Sequence, residues 1–381
     1  MKPLLFCLIL SIFALPLMSR PQPPELNAQS AILISAASGQ VLYEKNADRL
    51  CPPASITKLV CIYTALRIWE EKGINLDTRF TVPPAADFRA APPHSSLMFL
   101  QTGQLVSLRE LLHGMMIPSG NDAAVATALL TTGSVTSFIE AMNRSMEELG
   151  FKNCRFADSS GYSDRNVISP REFAFFCAHL IRVYPEVLEM ASLPEIVYPQ
   201  PHNLNGTVAV YGPMRQINHN EIIAAFPGAD GLKTGYIDAS GNNVALTAQR
   251  DGTRFIAVLT GIRDSNPARR SWKRTADAAR LLSYAFDSFA DYRLFFPPLY
   301  DENGNPVHAF NPTVTLEKDR IGEYSFDRYG NSIVPMQSGV PLKIIRLEQK
   351  PPVTPLASFV IPQKIKLNKK FDIFQFSDYN N

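Results

Sequence analysis

The chain has 381 residues, 46% of them apolar and 19% charged, with 37 basic and 35 acidic side chains. That length allows two or three domains, and 23 Phe with 13 Tyr exclude an intrinsically disordered chain. A formal net charge of +2 excludes the broad basic field of a nucleic-acid binder.

Met1 and Lys2 precede a 14-residue apolar run at 4–17 and a polar, Pro-rich stretch at 19–24, the parts of a secretory signal peptide. Fourteen residues is short for the roughly 20 of a membrane span, and no later stretch approaches that length. The expectation is export to a periplasmic or extracytoplasmic compartment, with residues 1–19 removed. Cys7 lies in this leader. Cys51, Cys61, Cys154 and Cys177 allow three disulfide pairings, or four buried thiols packed as small apolar groups. No C-x-x-C or H-E-x-x-H occurs, so neither a metal nor a cofactor is expected.

Short apolar-rich runs at 31–35 and 40–44 flank Ala36-Ala37-Ser38-Gly39 and read as a strand–turn–strand hairpin. From 56 to 70 the apolar residues recur at helical spacing, with Ser55 at the front as an N-cap. Helical patterning dominates 108–184. Within it, Gly150 suits the left-handed position after a helix, and Ser169-Pro170-Arg171-Glu172 reads as a helix start. After Pro227 the period changes: 243–249 and 253–260 are β-rich runs joined by Arg250-Asp251-Gly252, a hairpin signal. A long helix follows at 271–289.

The order strands, helices, strands, helix predicts an α+β domain with a largely antiparallel sheet shared by the first and last parts of the chain. From Ala290 the text differs. Ten of the 30 Pro fall in the last 92 residues, beside short β-type runs at 313–316 and 342–347. These residues, 290–381, read as a small all-β C-terminal domain following a larger α+β domain at 25–289.

Three short motifs carry chemistry. Ser55-Ile56-Thr57-Lys58 opens the first strong helix, where residues three apart share a face, so the Lys58 amine can reach the Ser55 hydroxyl. A serine needs a base, and a lysine serves as one when burial or nearby positive charge leaves it neutral. Ser119-Gly120-Asn121 follows 64 residues later in a turn. Lys233-Thr234-Gly235 comes 114 residues after Ser119 at the start of the β series, where Gly235 lets a substrate backbone approach closely. Each is weak alone. An S-x-x-K arises about once by chance in a chain this long, and the ordinary readings are an N-cap, a turn and a strand start. Together they weigh more, because this S-x-x-K and this K-T-G each occur once, in this order, on the elements their chemistry needs.

At this point the chain resembles the low-molecular-weight penicillin-binding proteins, the serine-type D-alanyl-D-alanine carboxypeptidases of the penicillin-binding protein and serine β-lactamase superfamily. Pro53-Ala54-Ser55-Ile56-Thr57-Lys58 is similar to the family's P-A-S-x-T-K. Ser119-Gly120-Asn121-Asp122-Ala123-Ala124 is similar to its S-G-N-D-A-A, and Asp230-Gly231-Leu232-Lys233-Thr234-Gly235-Tyr236 to its D-G-x-K-T-G-x. Arg274-x-x-Asp277-Ala278-x-x-Leu281-Leu282 is similar to its final helix, so the likeness covers about 31–289.

The resemblance implies a DD-peptidase fold, an antiparallel sheet with helices plus a helical subdomain, and acyl transfer on a peptidoglycan stem peptide. Ser55 would attack the D-Ala–D-Ala carbonyl, Lys58 would be its base, and Ser119 would relay a proton to the leaving amine. Asn121 would bond a substrate amide and help hold Lys58. Lys233 and Thr234, with Arg274 as a further candidate, would bind the terminal carboxylate beside Gly235. The N–H groups of Ser55 and Tyr236 would form the oxyanion hole. β-Lactam antibiotics would acylate Ser55 and leave slowly.

Two features depart from the family pattern. The family often carries an acidic residue near Ser35, which bears on the first turn. Residues 364–376 mix four Lys with apolar side chains and fit a last strand or a basic interfacial helix equally, which leaves peripheral membrane contact open.

Three alternatives differ in chemistry. A β-lactamase of the commonest class needs a general-base Glu, and no E-x-x-L-N occurs. A non-catalytic peptidoglycan-binding scaffold usually lacks the Ser or the Lys. A DD-endopeptidase would use the same residues. No G-x-S-x-G occurs, which disfavours a Ser-His-Asp hydrolase, and His219 reads as structural.

Overall fold

The structure is a computed structural model. It describes residues 21–295 together with 299–300, 306–307, 313–319, 325–326, 332–333 and 343–346. The leader and the 364–376 segment lie outside the described residues.

The chain forms β1 (Ser30–Ser35), β2 (Val41–Lys45), α1 (Lys58–Glu71), β3 (Arg79–Thr81), β4 (Leu105–Ser107), α2 (Leu108–Met116), α3 (Asn121–Thr132) and α4 (Val135–Glu148). There follow α5 (Pro170–Val183), α6 (Glu186–Ser192), β5 (Glu195–Tyr198), β6 (Met214–Ile217), α7 (Ile222–Ala225), β7 (Ala229–Ile237), β8 (Gly241–Arg250), β9 (Thr253–Ile262), α8 (Pro267–Ser288) and β10 (Phe289–Phe295). Five strands make one antiparallel sheet in the order β2-β1-β9-β8-β7. The N-terminal hairpin therefore joins the C-terminal strands, as expected, with Ser30 opposite Thr260 and Ser35 opposite Phe255.

The strand period of two sorts the sheet's side chains into two cores. Ala31, Leu33, Leu246, Phe255, Ala257 and Leu259 pack against Ala278, Leu281, Leu282 and Ala285 of α8. Their neighbours Ile32, Ile34, Ala245, Ile256 and Val258 belong to the larger core, with α1 and the helical half of the chain. The α8 residues recur at 3, 4 and 7, the spacing of one helical stripe. Asp277, fully buried in that stripe, accepts the Ala28 N–H at 2.8 Å and so ties the start of the described chain to α8.

Several local signals act as expected. In the β8–β9 turn Asp251 and Gly252 both have positive φ, 49° and 79°, as a tight hairpin requires. Gly150 takes φ 83° after α4. Ser169 caps α5 by accepting the Glu172 N–H, with Pro170 in the first turn. In the first hairpin Ser35 Oγ accepts the N–H groups of Ala37 and Ser38, both at 3.2 Å, so a hydroxyl holds the turn where an acid is usual.

Other expectations need correction. The long helix starts at Pro267, capped by Asn266, and not at 271. Its first turn is exposed, so apolar periodicity begins only later. Residues 149–169 form no helix. Ser55 caps nothing: it lies in a 3₁₀ turn, Ala54–Thr57, ahead of α1. Of the two readings left open for the cysteines, the free-thiol one holds: Cys51, Cys61, Cys154 and Cys177 are all free, and the last three are buried.

Beyond α8, β10 lies between strands Thr313–Glu317 and Lys343–Arg346 in a three-stranded antiparallel sheet. Asp291 of β10 reaches back to the first hairpin, where its buried carboxylate accepts from Ser35 Oγ at 3.2 Å. Among the described residues no single helix is long and apolar enough to cross a membrane.

Candidate active site

The three motifs meet where the edge strand β7 faces the start of α1. The placement of Ser55 is dictated from two sides. A Cβ on Gly235 would lie 2.7 Å from the Ser55 nitrogen, and one on Gly161 would lie 1.9 Å from the Ala54 carbonyl oxygen. Only glycine fits either place, so the turn carrying Ser55 is clamped between β7 and the 158–163 loop. Gly235 therefore serves the approach of the Ser55 turn. Asn243, buried in β8, adds a third hold: its amide donates to the Pro52 and Pro53 carbonyls at 3.0 and 3.1 Å.

Lys58 stands one helical turn beyond Ser55 with its side chain fully buried. Its Nζ donates to Ser55 Oγ at 3.1 Å, Asn121 Oδ1 at 2.7 Å and the Ser160 carbonyl at 2.7 Å. Burial lowers its pKa to about 8, against the partial restoring pull of Asp158 and Asp122. At that value about three hundred times more amine is neutral near pH 7 than for an ordinary lysine.

Asn121 is the first residue of α3, and its Nδ2 donates to Ser95 Oγ at 3.1 Å, which fixes its carbonyl oxygen toward Lys58. Ser119 has φ 64°, unusual for a residue with a Cβ, and its buried Oγ has no hydrogen-bond partner among the described residues. A buried hydroxyl left unpaired in a strained turn suits a group that bonds to a substrate.

The opposite wall is cationic. Lys233 is buried, and its Nζ donates to the Thr234 carbonyl at 3.0 Å. Burial, with Lys58 and Arg274 nearby, pushes its pKa well below the ordinary lysine value. Thr234 Oγ1 donates to the His219 carbonyl at 3.5 Å, and Arg274 Nη2 donates to that same oxygen at 3.2 Å. His219 thus contributes its backbone, in keeping with a structural reading. Tyr236, next on β7, is 39% exposed. All nine expected site residues fall in this region.

Four contributors were not anticipated: Gly161, Asn243, the Ser160 carbonyl, and Asp158. The Asp158 carboxylate accepts N–H groups of Ser160 at 2.6 Å, Gly161 at 2.7 Å and Ser163 at 2.7 Å, so it builds the loop that presents Ser160 to Lys58. The turn-rich run Asp158-Ser159-Ser160-Gly161 was the signal available for it.

A nucleophile, a lowered-pKa lysine and a cationic wall point to acyl transfer on a substrate with a carboxylate. Comparison with known proteins identifies the family. Residues 18–263 match the D-alanyl-D-alanine carboxypeptidase family of peptidases. The chain belongs to that family.

It is 32% identical over 274 residues to the D-alanyl-D-alanine carboxypeptidase DacA of Escherichia coli K12, covering 71% of this chain and 63% of that protein. The chain spans 69% of the length of the Bacillus subtilis relative DacF. Penicillin-binding protein 6B from Escherichia coli superposes with a TM-score of 0.70 at 27% identity, over 84% of this chain and 98% of the other. The cefotaxime-bound penicillin-binding protein D2 of Listeria monocytogenes matches with a TM-score of 0.59 at 26% identity, over 70% of this chain and all of the other. The α+β fold expected from the sequence is thus the fold of these enzymes, and the chain is a hydrolase of the carboxypeptidase family.

Proposed function

We propose that this protein removes the terminal D-Ala from peptidoglycan stem peptides ending in D-Ala–D-Ala, through an ester on Ser55. The observation that carries the reading is the buried Lys58 amine, within 3.1 Å of Ser55 Oγ and held by Asn121 and the Ser160 carbonyl.

In this mechanism Ser55 Oγ attacks the carbonyl carbon between the two D-Ala residues while neutral Lys58 takes the hydroxyl proton. The oxyanion forms against the N–H groups of Ser55 and Tyr236, where one such donor is typically worth about 3–4 kcal/mol. Collapse breaks the C–N bond, and a proton passing from Lys58 through Ser119 Oγ leaves with the D-Ala amine. Water then attacks the ester, with Lys58 again accepting the proton, and Ser55 is restored. Asn121 orients Lys58 and the substrate amide. Lys233, Thr234 and Arg274 receive the terminal carboxylate.

A β-lactam would enter the same steps, but its cleaved amine stays attached and obstructs the water. The nearest carboxylates support slow release. Asp158 is occupied by loop N–H groups, and Asp122 accepts from Met98 and Leu100 at 2.8 and 2.9 Å. Neither is free to act as the extra base a β-lactamase requires. The apolar run at 4–17 supports export of the chain with removal of residues 1–19, which places the enzyme with its substrate outside the cytoplasm.

The test is incubation with a pentapeptide ending in D-Ala–D-Ala. Release of one D-Ala by mass, its loss in Ser55→Ala, and a penicillin adduct that turns over slowly are expected. Rapid penicillin hydrolysis without D-Ala release would overturn the reading in favour of a β-lactamase.

A further inference from the structure

The two N–H donors that would face the oxyanion lie on separate elements, Ser55 on the turn ahead of α1 and Tyr236 on the edge strand β7. An oxyanion hole works only if both donors stand about 3 Å from one oxygen, so something must hold the turn in register with the strand. Asn243 is bonded to both elements. On β8 it is the cross-strand partner of Gly235, so its side chain leaves the sheet on the face where Gly235 has none. The Ser55 turn fills that gap, and Asn243 reaches it there. The turn offers few handles. Pro52 and Pro53 have no N–H, and their carbonyl oxygens accept from Asn243 Nδ2 at 3.0 and 3.1 Å. Ala54, next in the chain, is buried with φ 54°, a left-handed conformation that disfavours any residue with a Cβ. Such a residue keeps its place only where its surroundings over-determine it, and the two bonds from Asn243 fix the chain immediately before it.

Asn243 is itself aimed by a distortion of the sheet. The β8–β9 register sets Asn242 opposite Ile262 and Val244 opposite Leu259, so Thr260 and Gly261 together face Asn243. This is a bulge, a device that re-aims a side chain, and Gly261 takes φ 81° within it. The Gly261 N–H donates to Asn243 Oδ1 at 3.0 Å. A carbonyl only accepts and an N–H only donates, so these partners settle the amide's orientation, oxygen toward Gly261 and nitrogen toward the prolines. Ser240 Oγ, also 3.0 Å from Nδ2, completes the set around a fully buried side chain.

We propose that Asn243 is a positioning residue for the oxyanion hole: through the Pro52 and Pro53 carbonyls it fixes the Ser55 N–H relative to the Tyr236 N–H of β7. Buried behind the turn, it acts through Ser55 and not on the substrate. This rests on the reading of Ser55 as the acylated nucleophile and adds to it the group that keeps the two donors on one oxygen.

The test is a graded series in the full chain, read by acylation kinetics with a penicillin and by the infrared carbonyl band of the ester it leaves on Ser55. A carbonyl seated between two N–H donors absorbs at lower frequency than one that has lost a donor. Asn243→Ala removes both bonds to the prolines. Asn243→Asp keeps the shape, and its carboxyl, facing two carbonyl oxygens in a buried site, stays protonated and restores one bond. In Asn243→Ala the acylation rate falls about 10- to 100-fold and the ester band moves to higher frequency. KM for a D-Ala–D-Ala peptide changes less than about twofold, and the pH limb stays near 8, because Lys233 and the acceptors of Lys58 are untouched. Asn243→Asp falls between the alanine variant and the unaltered protein in both rate and band, and it carries the test alone if the alanine variant does not fold. A rate that falls while the band stays in place would overturn the proposal, because a loosened fold lowers activity without unseating the carbonyl. An unchanged rate would overturn it too. Absence of any ester on Ser55 in the unaltered protein would instead overturn the acyl-transfer reading itself.

Discussion

The two walls of the cleft each bury a lysine, and the two lysines are surrounded in opposite ways. Lys58 has three oxygen acceptors and the pull of Asp158 and Asp122, and it settles near a pKa of about 8. Lys233 has the Thr234 carbonyl and two neighbouring cations, and it is pushed well below the ordinary lysine value. Burial alone therefore does not set the role. A lysine held by neutral oxygens close to a hydroxyl can take a proton and return it. A lysine crowded by other cations is relieved most by an arriving anion, which removes the repulsion and restores its charge. One wall is arranged for proton transfer and the other for a carboxylate.

The strongest way to break that contrast is to remove the base. Lys58→Ala should lower the rate of Ser55 acylation about 10³- to 10⁴-fold, measured by stopped-flow with a chromogenic penicillin. In the unaltered protein the same rate should rise with pH through about 8, because the neutral amine is the working form and it gains population as the proton is lost. A rate that is flat from pH 6 to 10 would mean Lys58 is not the base.

The opposite wall has its own test. Lys233→Ala should lower kcat/KM for a D-Ala–D-Ala peptide about a hundredfold, roughly 3 kcal/mol, through loss of a charge-assisted contact. The same peptide with its terminal carboxylate converted to an amide should lose far less. Equal losses on both would place Lys233 in the architecture of the cleft instead of on the carboxylate. Because Lys233 must be protonated to attract that group, the KM of the acid peptide should climb as pH rises and the proton is lost, in the direction opposite to the acylation limb.

The readable parts of this site were those whose chemistry belongs to a side-chain type at a local spacing. Ser55 and Lys58 are three residues apart on a helical turn, and Lys233, Thr234 and Gly235 are consecutive. Their elements, too, could be read from periodicity, as could the sheet that joins β1 to β9. What escaped reading is carried by backbone atoms and distant pairings. The Ser160 carbonyl reaches Lys58 across 102 positions, and a carbonyl has no signature in residue type. Gly161 and Asn243 matter because of what packs on them, the Pro52–Ser55 turn, and that pairing exists only in the folded chain. Ser55 itself looked like a helix cap, since the 3₁₀ turn that moves the cap to Thr57 follows from its tertiary clamp and not from its local sequence.

Asp158 offers the smallest and sharpest change. Its carboxylate does two things for Lys58: it shapes the loop that brings the Ser160 carbonyl to Nζ, and its charge raises the Lys58 pKa against burial. In Asp158→Asn the remaining amide oxygen can still accept from the loop, while the charge is gone. Loss of a nearby negative charge favours the neutral amine, so the acylation limb should move to lower pH. The plateau at high pH should fall only a fewfold, from a looser loop. A thermal melt recorded beside the pH profile separates the two contributions, because loosening alone lowers stability and leaves the limb near pH 8. A limb that moves upward, or stays in place, would show that Lys58 is tuned by desolvation and its neutral acceptors alone. The contrast between the two walls would then rest on hydrogen bonds, not on charge.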